Sequence, residues 1–182
     1  EVYGTGIFIH ATFPLLLLWA AMSAWAESHD LAVVLDRILL LALVFAIVVL
    51  HEFGHAMAGG RYGVRTRDIT LLPIGGLARM DRIPSIPSQE LVIAAAGPAV
   101  NLVLAILMFA VMTASGHPPE FSDAAMLNGS LAERLLLVNL SILLFNLLPA
   151  FPMDGGRILR SLLAMRMDFV RATQVAVFLG QS

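Results

Sequence analysis

Cysteine and lysine are absent from this chain of 182 residues, and only 13% of its residues are charged. The lack of cysteine excludes disulfides, thiolate metal ligands and a cysteine nucleophile. The formal net charge is −2 and no basic stripe with interleaved aromatic residues occurs, so nucleic acid is not an expected partner. Any catalytic or metal-binding chemistry must therefore use histidine, carboxylate, amide or hydroxyl groups.

Hydrophobic residues, by contrast, make up 59% of the chain, and its mean hydropathy is +0.86. This composition is too apolar for an ordinary water-soluble domain, so the lipid bilayer is the expected solvent for most of its surface. Several apolar runs reach or approach the roughly 20 residues that a transmembrane helix needs. The sequence therefore predicts an all-α polytopic membrane protein with about five to six transmembrane helices, forming one domain over residues 1–182.

The predicted elements follow from the apolar runs and the breaks between them. Helices are expected at residues 13–26, 31–59, 90–115, 131–148 and 157–167, and an apolar run at 175–179 looks like the start of another. Residues 2–9 are compatible with a short strand, and residues 68–72 and 77–80 flank a Pro-Ile-Gly-Gly turn that predicts a small β-hairpin. Both ends of the chain look trimmed, since residue 1 is not methionine and the last residues follow an apolar run.

Arginine is distributed unevenly between the loops, and this predicts the orientation in the membrane. Five arginines lie between the second and third predicted helices, and three more follow the fourth: Arg61, Arg65, Arg67, Arg79, Arg82, Arg157, Arg160 and Arg166. The opposite loops carry acidic residues and almost no arginine. We therefore expect a multi-pass protein of the cell membrane whose arginine-rich loops face the cytoplasm. The use of arginine alone for positive charge is a weak indication of a bacterial or archaeal source.

The end of the second predicted helix carries the sequence His-Glu-Phe-Gly-His at residues 51–55. On a helix, His51 and His55 point the same way and can hold one zinc ion, with Glu52 beside it as a base. Ionisable groups within a spanning helix cost at least about 2.5 to 3.5 kcal/mol each, so three within five residues require a compensating partner such as a metal ion. The alternative interpretation is a polar helix end that is merely solvated among lipid headgroups.

A catalytic zinc site needs a third protein ligand, and without cysteine the candidates are the other histidines and the carboxylates. Asp154 is the best candidate, because it lies in a break rich in proline and glycine, residues 149–156, on the same side of the membrane as His51. An ordinary turn formed by Asp154 and Gly155 is the alternative interpretation. Asn146, two helical turns earlier, can donate a hydrogen bond into the same cavity.

These residues resemble the site-2 protease family of intramembrane zinc metalloproteases. The resemblance covers nearly the whole chain and includes the motif at residues 51–55, Asn-Leu-Leu-Pro at 146–149 and Met-Asp-Gly-Gly-Arg at 153–157. Gly-Pro-Ala-Val-Asn at 97–101 is similar to the family's Gly-Pro-x-x-Asn element, and residues 72–76 are similar to its membrane-associated β-hairpin. The resemblance implies a zinc metalloendopeptidase that cuts a peptide bond within or near the transmembrane segment of a protein substrate.

The resemblance also implies a substrate class and a subgroup. A membrane-tethered transcription regulator or anti-sigma factor is the substrate that the family implies, with the hairpin around Gly75 as a platform for its strand-like part. A simple surface hairpin is the alternative interpretation of that segment. No PDZ-like insertion separates the third and fourth helices, which resembles the subgroup that often carries CBS domains after its membrane core. The family usually has Leu where this chain has Met153, and this change of an apolar neighbour leaves the ligands unaffected.

The predicted metal ligands are thus His51, His55 and Asp154, with zinc as the cofactor. Glu52 is predicted to take and return a proton, and Asn146 to position substrate or stabilise the oxyanion. The alternative function is a zinc transporter or a metal-sensing membrane protein, in which the same side chains bind the ion in transit. Glu52 argues against that alternative, because transport does not need a base beside the metal.

Four further residues have interpretations that the sequence leaves open. Asn101 is as readily a helix-packing amide as a site residue. Gly97 and Pro98 are expected to permit close approach of neighbouring helices. His10, in the apolar segment at the start of the chain, is expected to be a core residue.

Overall fold

The computed structural model describes residues 6–9, 12–64, 66–72, 75–80, 86–122, 125 and 129–181, and the structural statements below concern those residues. They form a mostly helical protein, which confirms the helical fold class. In chain order the elements are β1 (Gly6–Ile9), α1 (Thr12–Ser28), α2 (Leu31–Arg61), β2 (Thr66–Leu72), β3 (Gly75–Met80), α3 (Pro87–Ala114), α4 (Leu131–Leu147), α5 (Asp154–Ala164) and α6 (Phe169–Gln181).

Local signals in the sequence set the starts of the long helices. The Asp30 side chain accepts a hydrogen bond from the Ala32 backbone N–H at 2.8 Å and caps α2. Ser130 and Glu133 form a capping box at the start of α4. Pro87 occupies the first turn of α3, where its missing N–H leaves no helical hydrogen bond unmade. For this reason α3 begins slightly earlier than the apolar run alone predicts.

The break between α4 and α5 is shorter than predicted. Pro149 and Pro152 end the helical path, but α5 begins at Asp154 and not at Arg157 as the sequence suggested. An acidic residue in the first turn of a helix is favoured by the unpaired N–H groups there. Gly155 lies so close to the backbone carbonyl oxygens that end α4 that a Cβ would overlap them. Asp154 is therefore held by a helix and not by an irregular loop.

Two helices, α2 and α3, are long and apolar enough to cross a membrane, judged by length and composition. Helices α1 and α4 have 17 residues each, about 25 Å at 1.5 Å per residue, which is near the lower limit for a span. Large apolar side chains face outward: Leu15 is 62% exposed, Trp19 67%, Val111 66% and Leu144 66%. A surface of this kind suits lipid as its solvent.

A three-stranded sheet adjoins the helices, with β2 between β1 and β3. Strand β2 is parallel to β1 and antiparallel to β3, and the β2 to β3 register runs from the Thr66↔Met80 pair to the Leu72↔Gly75 pair. Residues 73–74 of the predicted turn lie outside the described residues, as does His10. Among the described strands, β3 pairs with β2 alone, so its outer edge carries no described partner.

Helix α2 packs against α1, α3 and α4 and so lies at the centre of the bundle. Its close approach to α3 depends on Gly54, where a Cβ would come within 2.8 Å of both the Ala96 carbonyl oxygen and Val100 Cγ2. Two small apolar clusters lie along these helices: Ala58, Val64 and Ile93 in one, and Ala105, Met112 and Leu136 in the other. On α3, Gly97 and Asn101 lie between Ile93 of the first cluster and Ala105 of the second.

Candidate metal centre

The three predicted metal ligands meet in the interior of the bundle. His51 and His55 lie near the C-terminal end of α2, and Asp154 is the first residue of α5. They are 4%, 3% and 7% exposed, respectively. The two Nε2 atoms are 3.1 Å apart, and each lies 3.0 Å from Asp154 Oδ2. Residues that are 103 positions apart in the chain thus form one group that can hold a metal ion.

The outer nitrogen of each imidazole already has a partner. His55 Nδ1 lies 2.7 Å from the Ile93 carbonyl oxygen, which can only accept, so this nitrogen carries the proton and donates it. His51 Nδ1 donates in the same way to the side-chain oxygen of Asn101 at 3.1 Å. A neutral imidazole protonated on Nδ1 has a lone pair on Nε2. Both Nε2 lone pairs therefore face each other and the Asp154 carboxylate.

Three acceptor atoms that face one another repel unless a cation lies between them. Ligand atoms about 2.0 to 2.1 Å from a tetrahedral ion lie about 3.3 to 3.4 Å apart, close to the 3.0 to 3.1 Å found here. Gly97 of α3 keeps the space open, because a Cβ there would lie 2.6 Å from His51 Nε2 and closer still to His55 Nε2. Two imidazoles, one carboxylate and this open space fit zinc, in agreement with the predicted cofactor.

Glu52 follows His51 directly on α2 and is half-buried. Its carboxylate makes no hydrogen bond and no ion pair with the described residues. A carboxylate without such partners, next to a metal-binding group, can accept and release a proton. The role of Glu52 as the base stays a prediction.

Both oxygens of the Asp154 carboxylate have contacts that orient it. Its Oδ2 faces the two imidazoles, whereas its Oδ1 lies 3.5 Å from Arg157 Nη1, one turn later on α5. A second arginine of α5, Arg160, pairs with Glu90 of α3, which is fully buried. The Arg160 guanidinium also lies 5.3 Å from the Phe151 ring centroid and 5.0 Å from that of Phe169. The pair with Glu90 joins α5, and with it Asp154, to α3.

Asn146 makes no hydrogen bond with the metal-binding group among the described residues, and its predicted role stays a prediction. Its Nδ2 donates to the Ile142 carbonyl oxygen of its own helix at 3.0 Å, and its side chain makes no other hydrogen bond with the described residues. Gly97 and Asn101, in contrast, lie closer to the centre than the sequence indicated. Gly97 faces both imidazoles, and Asn101 contacts His51.

Three contributors to the site were not predicted from the sequence. The Ile93 contact uses a backbone carbonyl, which leaves no signal in the sequence. A signal in the sequence did exist for the Glu90 and Arg160 pair and for the buried Asn139. Ionisable or amide side chains in apolar helices are costly, so their presence indicates a buried partner. Each partner, however, lies on a different helix and becomes identifiable only in the fold.

Comparisons with known proteins agree with this geometry. The chain matches the family described as peptidase family M50 over residues 39–130 and 122–181. It is 39% identical over 183 residues to a zinc metalloprotease of Methanocaldococcus jannaschii, covering 100% of this chain and 50% of that protein. It is 38% identical over 120 residues to a Synechocystis protein named as a putative zinc metalloprotease, covering 66% of this chain and 30% of that protein.

A solved structure is also similar. The site-2 protease from Methanocaldococcus jannaschii matches with a TM-score of 0.66 and 37% identity, over 97% of this chain and 75% of that one. The chain spans about half the length, or less, of the curated relatives that it matches. The family match nevertheless extends over most of the chain, including His51, His55 and Asp154. The chain therefore belongs to peptidase family M50, the family of the site-2 proteases.

Proposed function

We propose that residues 1–182 form the membrane-embedded core of a zinc metalloprotease that cuts a peptide bond within or near the transmembrane segment of a protein substrate. The convergence of two Nε2 lone pairs and one carboxylate oxygen in a buried space carries the proposal, with a half-buried carboxylate beside them. In this proposal His51, His55 and Asp154 hold the ion, and Glu52 is the general base. Membership of family M50 supports the same chemistry.

The reaction is hydrolysis of an amide bond by one water molecule. When bound, zinc supplies the Lewis acidity that polarises the scissile carbonyl and acidifies the attacking water. Glu52 takes the proton of that water as its oxygen bonds to the carbonyl carbon, and returns it to the amide nitrogen as the C–N bond breaks. Arg157 keeps Oδ1 of Asp154 engaged, so that Oδ2 stays available as a ligand atom. Asn146 would reach substrate by leaving the Ile142 carbonyl, in a positioning or oxyanion-stabilising role.

The proposed membrane arrangement has five to six transmembrane helices, with the small β-hairpin associated with the membrane. Helices α2 and α3 have the length and composition for this, and the 17-residue α1 and α4 complete the central bundle. The arginine-rich segments follow the His51 end of α2 and the end of α4, which supports a multi-pass protein of the cell membrane with its active site toward the cytoplasm.

This orientation is open to a labelling test because the chain has no cysteine of its own. Gly60 lies at the His51 end of α2, where an added Cβ would meet nothing within 4 Å, and Glu120 lies exposed after α3. In intact cells, we expect a membrane-impermeant maleimide to label Glu120→Cys and to leave Gly60→Cys unlabelled until the membrane is opened. The reverse pattern would contradict the orientation.

The proposed substrate is a transmembrane protein whose helix is partly unwound at the cleaved bond. The outer edge of β3 supports this, since it carries no described strand and can pair with an extended segment. A membrane-tethered transcription regulator or an anti-sigma factor is the substrate class we expect. The short connection from residue 115 to 130 supports the subgroup without a PDZ insertion, and CBS domains after the core stay a prediction.

The function is tested with Glu52→Gln in the purified chain, using a membrane-spanning reporter protein as substrate. We expect zinc to be retained and cleavage to fall at least about 100-fold, because the base is lost while the ligands remain. Glu27→Gln is the matched control: Glu27 lies exposed at the end of α1, away from the site, and should leave cleavage unchanged. Undiminished cleavage by Glu52→Gln would contradict the mechanism. Zinc flux across proteoliposomes without cleavage would instead favour a transporter.

A further inference from the structure

We infer that Asn101 is a positioning residue of the metal centre: its side-chain oxygen holds the His51 ring, and Asn139 of α4 holds Asn101 in turn. This inference rests on the proposed zinc site and concerns what keeps one of its ligands in place. Both asparagines are fully buried, and both lie in helices made mostly of apolar residues.

The position of Asn101 on α3 explains its reach. It lies four residues after Gly97, so the two residues share one face of the helix. Gly97 leaves the space next to the imidazole Nε2 atoms, and Asn101 Oδ1 accepts the hydrogen bond from His51 Nδ1 at 3.1 Å. His55 is held in the same way from α3, by the Ile93 carbonyl oxygen at 2.7 Å. Helix α3 thus orients both imidazoles of α2, one through a side chain and one through its backbone.

Asn139 ties the same point of α3 to α4. Its Nδ2 donates to the backbone carbonyl oxygen of Asn101 at 2.9 Å. The bond joins two helices at the residue that contacts His51, so a shift of α4 relative to α3 there would move the Asn101 side chain. A chain of two hydrogen bonds therefore links α4 to a proposed metal ligand.

A packing role alone does not account for these two amides. Asn101 Nδ2 and Asn139 Oδ1 have no hydrogen-bond partner among the described residues. Burying unpaired amide atoms in an apolar bundle is unfavourable, and alanine or leucine would fill either position without that cost. The unpaired Nδ2 of Asn101 is unfavourable, but the same amide supplies Oδ1, which accepts a hydrogen bond from His51 Nδ1. No apolar side chain can accept that bond.

The choice of an amide also fits the charge of the site. With the proton held on Nδ1, the His51 Nε2 lone pair stays available for the ion. A neutral amide fixes this ring without adding a negative charge to a site that already contains Glu52 and Asp154. Such outer partners of a liganding histidine set its ring orientation, and their loss typically weakens metal binding about 10- to 100-fold.

The test is the zinc affinity of the chain in detergent micelles, measured by competition with a chelator of known affinity. We expect Asn101→Ala to weaken zinc binding about 10- to 100-fold. Asn139→Ala should weaken it by about tenfold or less, because it acts through one more hydrogen bond. Asn101→Asp keeps the acceptor oxygen and should retain most of the affinity. Ser141→Ala is the control: the Ser141 hydroxyl donates to the Leu137 carbonyl oxygen within α4, so its removal should leave the affinity unchanged.

A second readout separates positioning from packing. With Co²⁺ in place of zinc, the visible absorption bands report the arrangement of the ligands, and we expect them to shift in Asn101→Ala but not in Ser141→Ala. A packing role would lower the thermal unfolding midpoint and leave both affinity and spectrum as in the parent. If Asn101→Ala does not fold, Asn101→Leu, which has a similar volume and no acceptor, replaces it with the same expected loss.

Two results would overturn the inference: parental zinc affinity in folded Asn101→Ala or Asn101→Leu, or a loss in Asn101→Asp as large as in those variants. Zinc affinities of the parent and of His51→Ala, measured alongside, distinguish a failure of the Asn101 inference from a failure of the proposed function. A parent that binds zinc and a His51→Ala variant that does not establish the site, whatever the Asn101 result. A parent without zinc affinity would contradict the site itself.

Discussion

Two ion pairs at opposite ends of the helical bundle differ in how far the protein encloses them. At the His51 end, Glu90 is 0% exposed and its partner Arg160 has a side chain that is only 11% exposed. At the other end, Arg37 pairs with Glu27 across side chains that are 40% and 58% exposed. The first pair is enclosed by protein, whereas the second lies at the surface.

This difference shows where polar groups serve the site. Removing one partner of a buried ion pair leaves an uncompensated buried charge, which lowers the free energy of unfolding by several kcal/mol. At the His51 end, the Glu90 and Arg160 pair joins α3, which contacts both imidazoles, to α5, which carries Asp154. At the opposite end, the Arg37 and Glu27 pair lies in contact with solvent. Substitutions at the two ends should therefore differ strongly in effect.

The largest effect is expected from removing a proposed ligand. His51→Ala or Asp154→Ala should reduce the zinc content of the purified chain from about one ion per chain to near none, because two remaining ligands cannot complete the site. Metal analysis at equal protein concentration measures this. His117→Ala is the control, since His117 lies exposed beyond α3. Full zinc content in Asp154→Ala would show that the ligand set is wrong.

The next effect concerns the space for the ion. Gly97→Ala should weaken zinc binding at least about tenfold, because ligand positions must be kept within about 0.5 Å and the new Cβ would overlap both imidazoles. Gly60→Ala makes the same change on an exposed part of α2, where a Cβ meets nothing within 4 Å, and should bind zinc as the parent does. Equal affinity in the two variants would mean that the His51 end has more space than the structure shows.

A smaller effect, on stability, is expected at the buried ion pair. Arg160→Met leaves Glu90 as an unpaired buried charge, which should destabilise the fold by about 3 to 5 kcal/mol and lower the thermal unfolding midpoint in detergent. The double variant Glu90→Leu with Arg160→Met removes both charges and should recover much of that stability. A double variant as unstable as Arg160→Met would show that the lost contacts with Phe151 and Phe169 matter more than the charge.

The smallest effect is expected at the exposed end. Arg37→Ala breaks the ion pair with Glu27, but both side chains are solvated, so the thermal unfolding midpoint and the zinc content should stay at their parental values. Differential scanning fluorimetry and metal analysis measure the two. A clear loss of stability here would remove the distinction between the two ends.

The main helices and the juxtaposition of His51 and His55 could be predicted from the sequence, because both depend on short-range patterns. The spacing of His51 and His55 determines a common face of α2, and apolar length identifies the main helices. Element ends were less predictable: α5 begins at Asp154 because Gly155 packs against the end of α4, a contact that no local pattern indicates.

The membrane character, the pair of imidazoles and Glu52 beside them were determined by the sequence alone, since each follows from composition or from residues within one helical turn. Only the tertiary structure decided that Gly97 leaves a space beside both imidazoles, that Asn101 and Ile93 contact the two rings, and that Asn146 bonds within its own helix. The physical reason is that these roles depend on contacts between different helices, and the packing of α2, α3 and α5 sets those contacts.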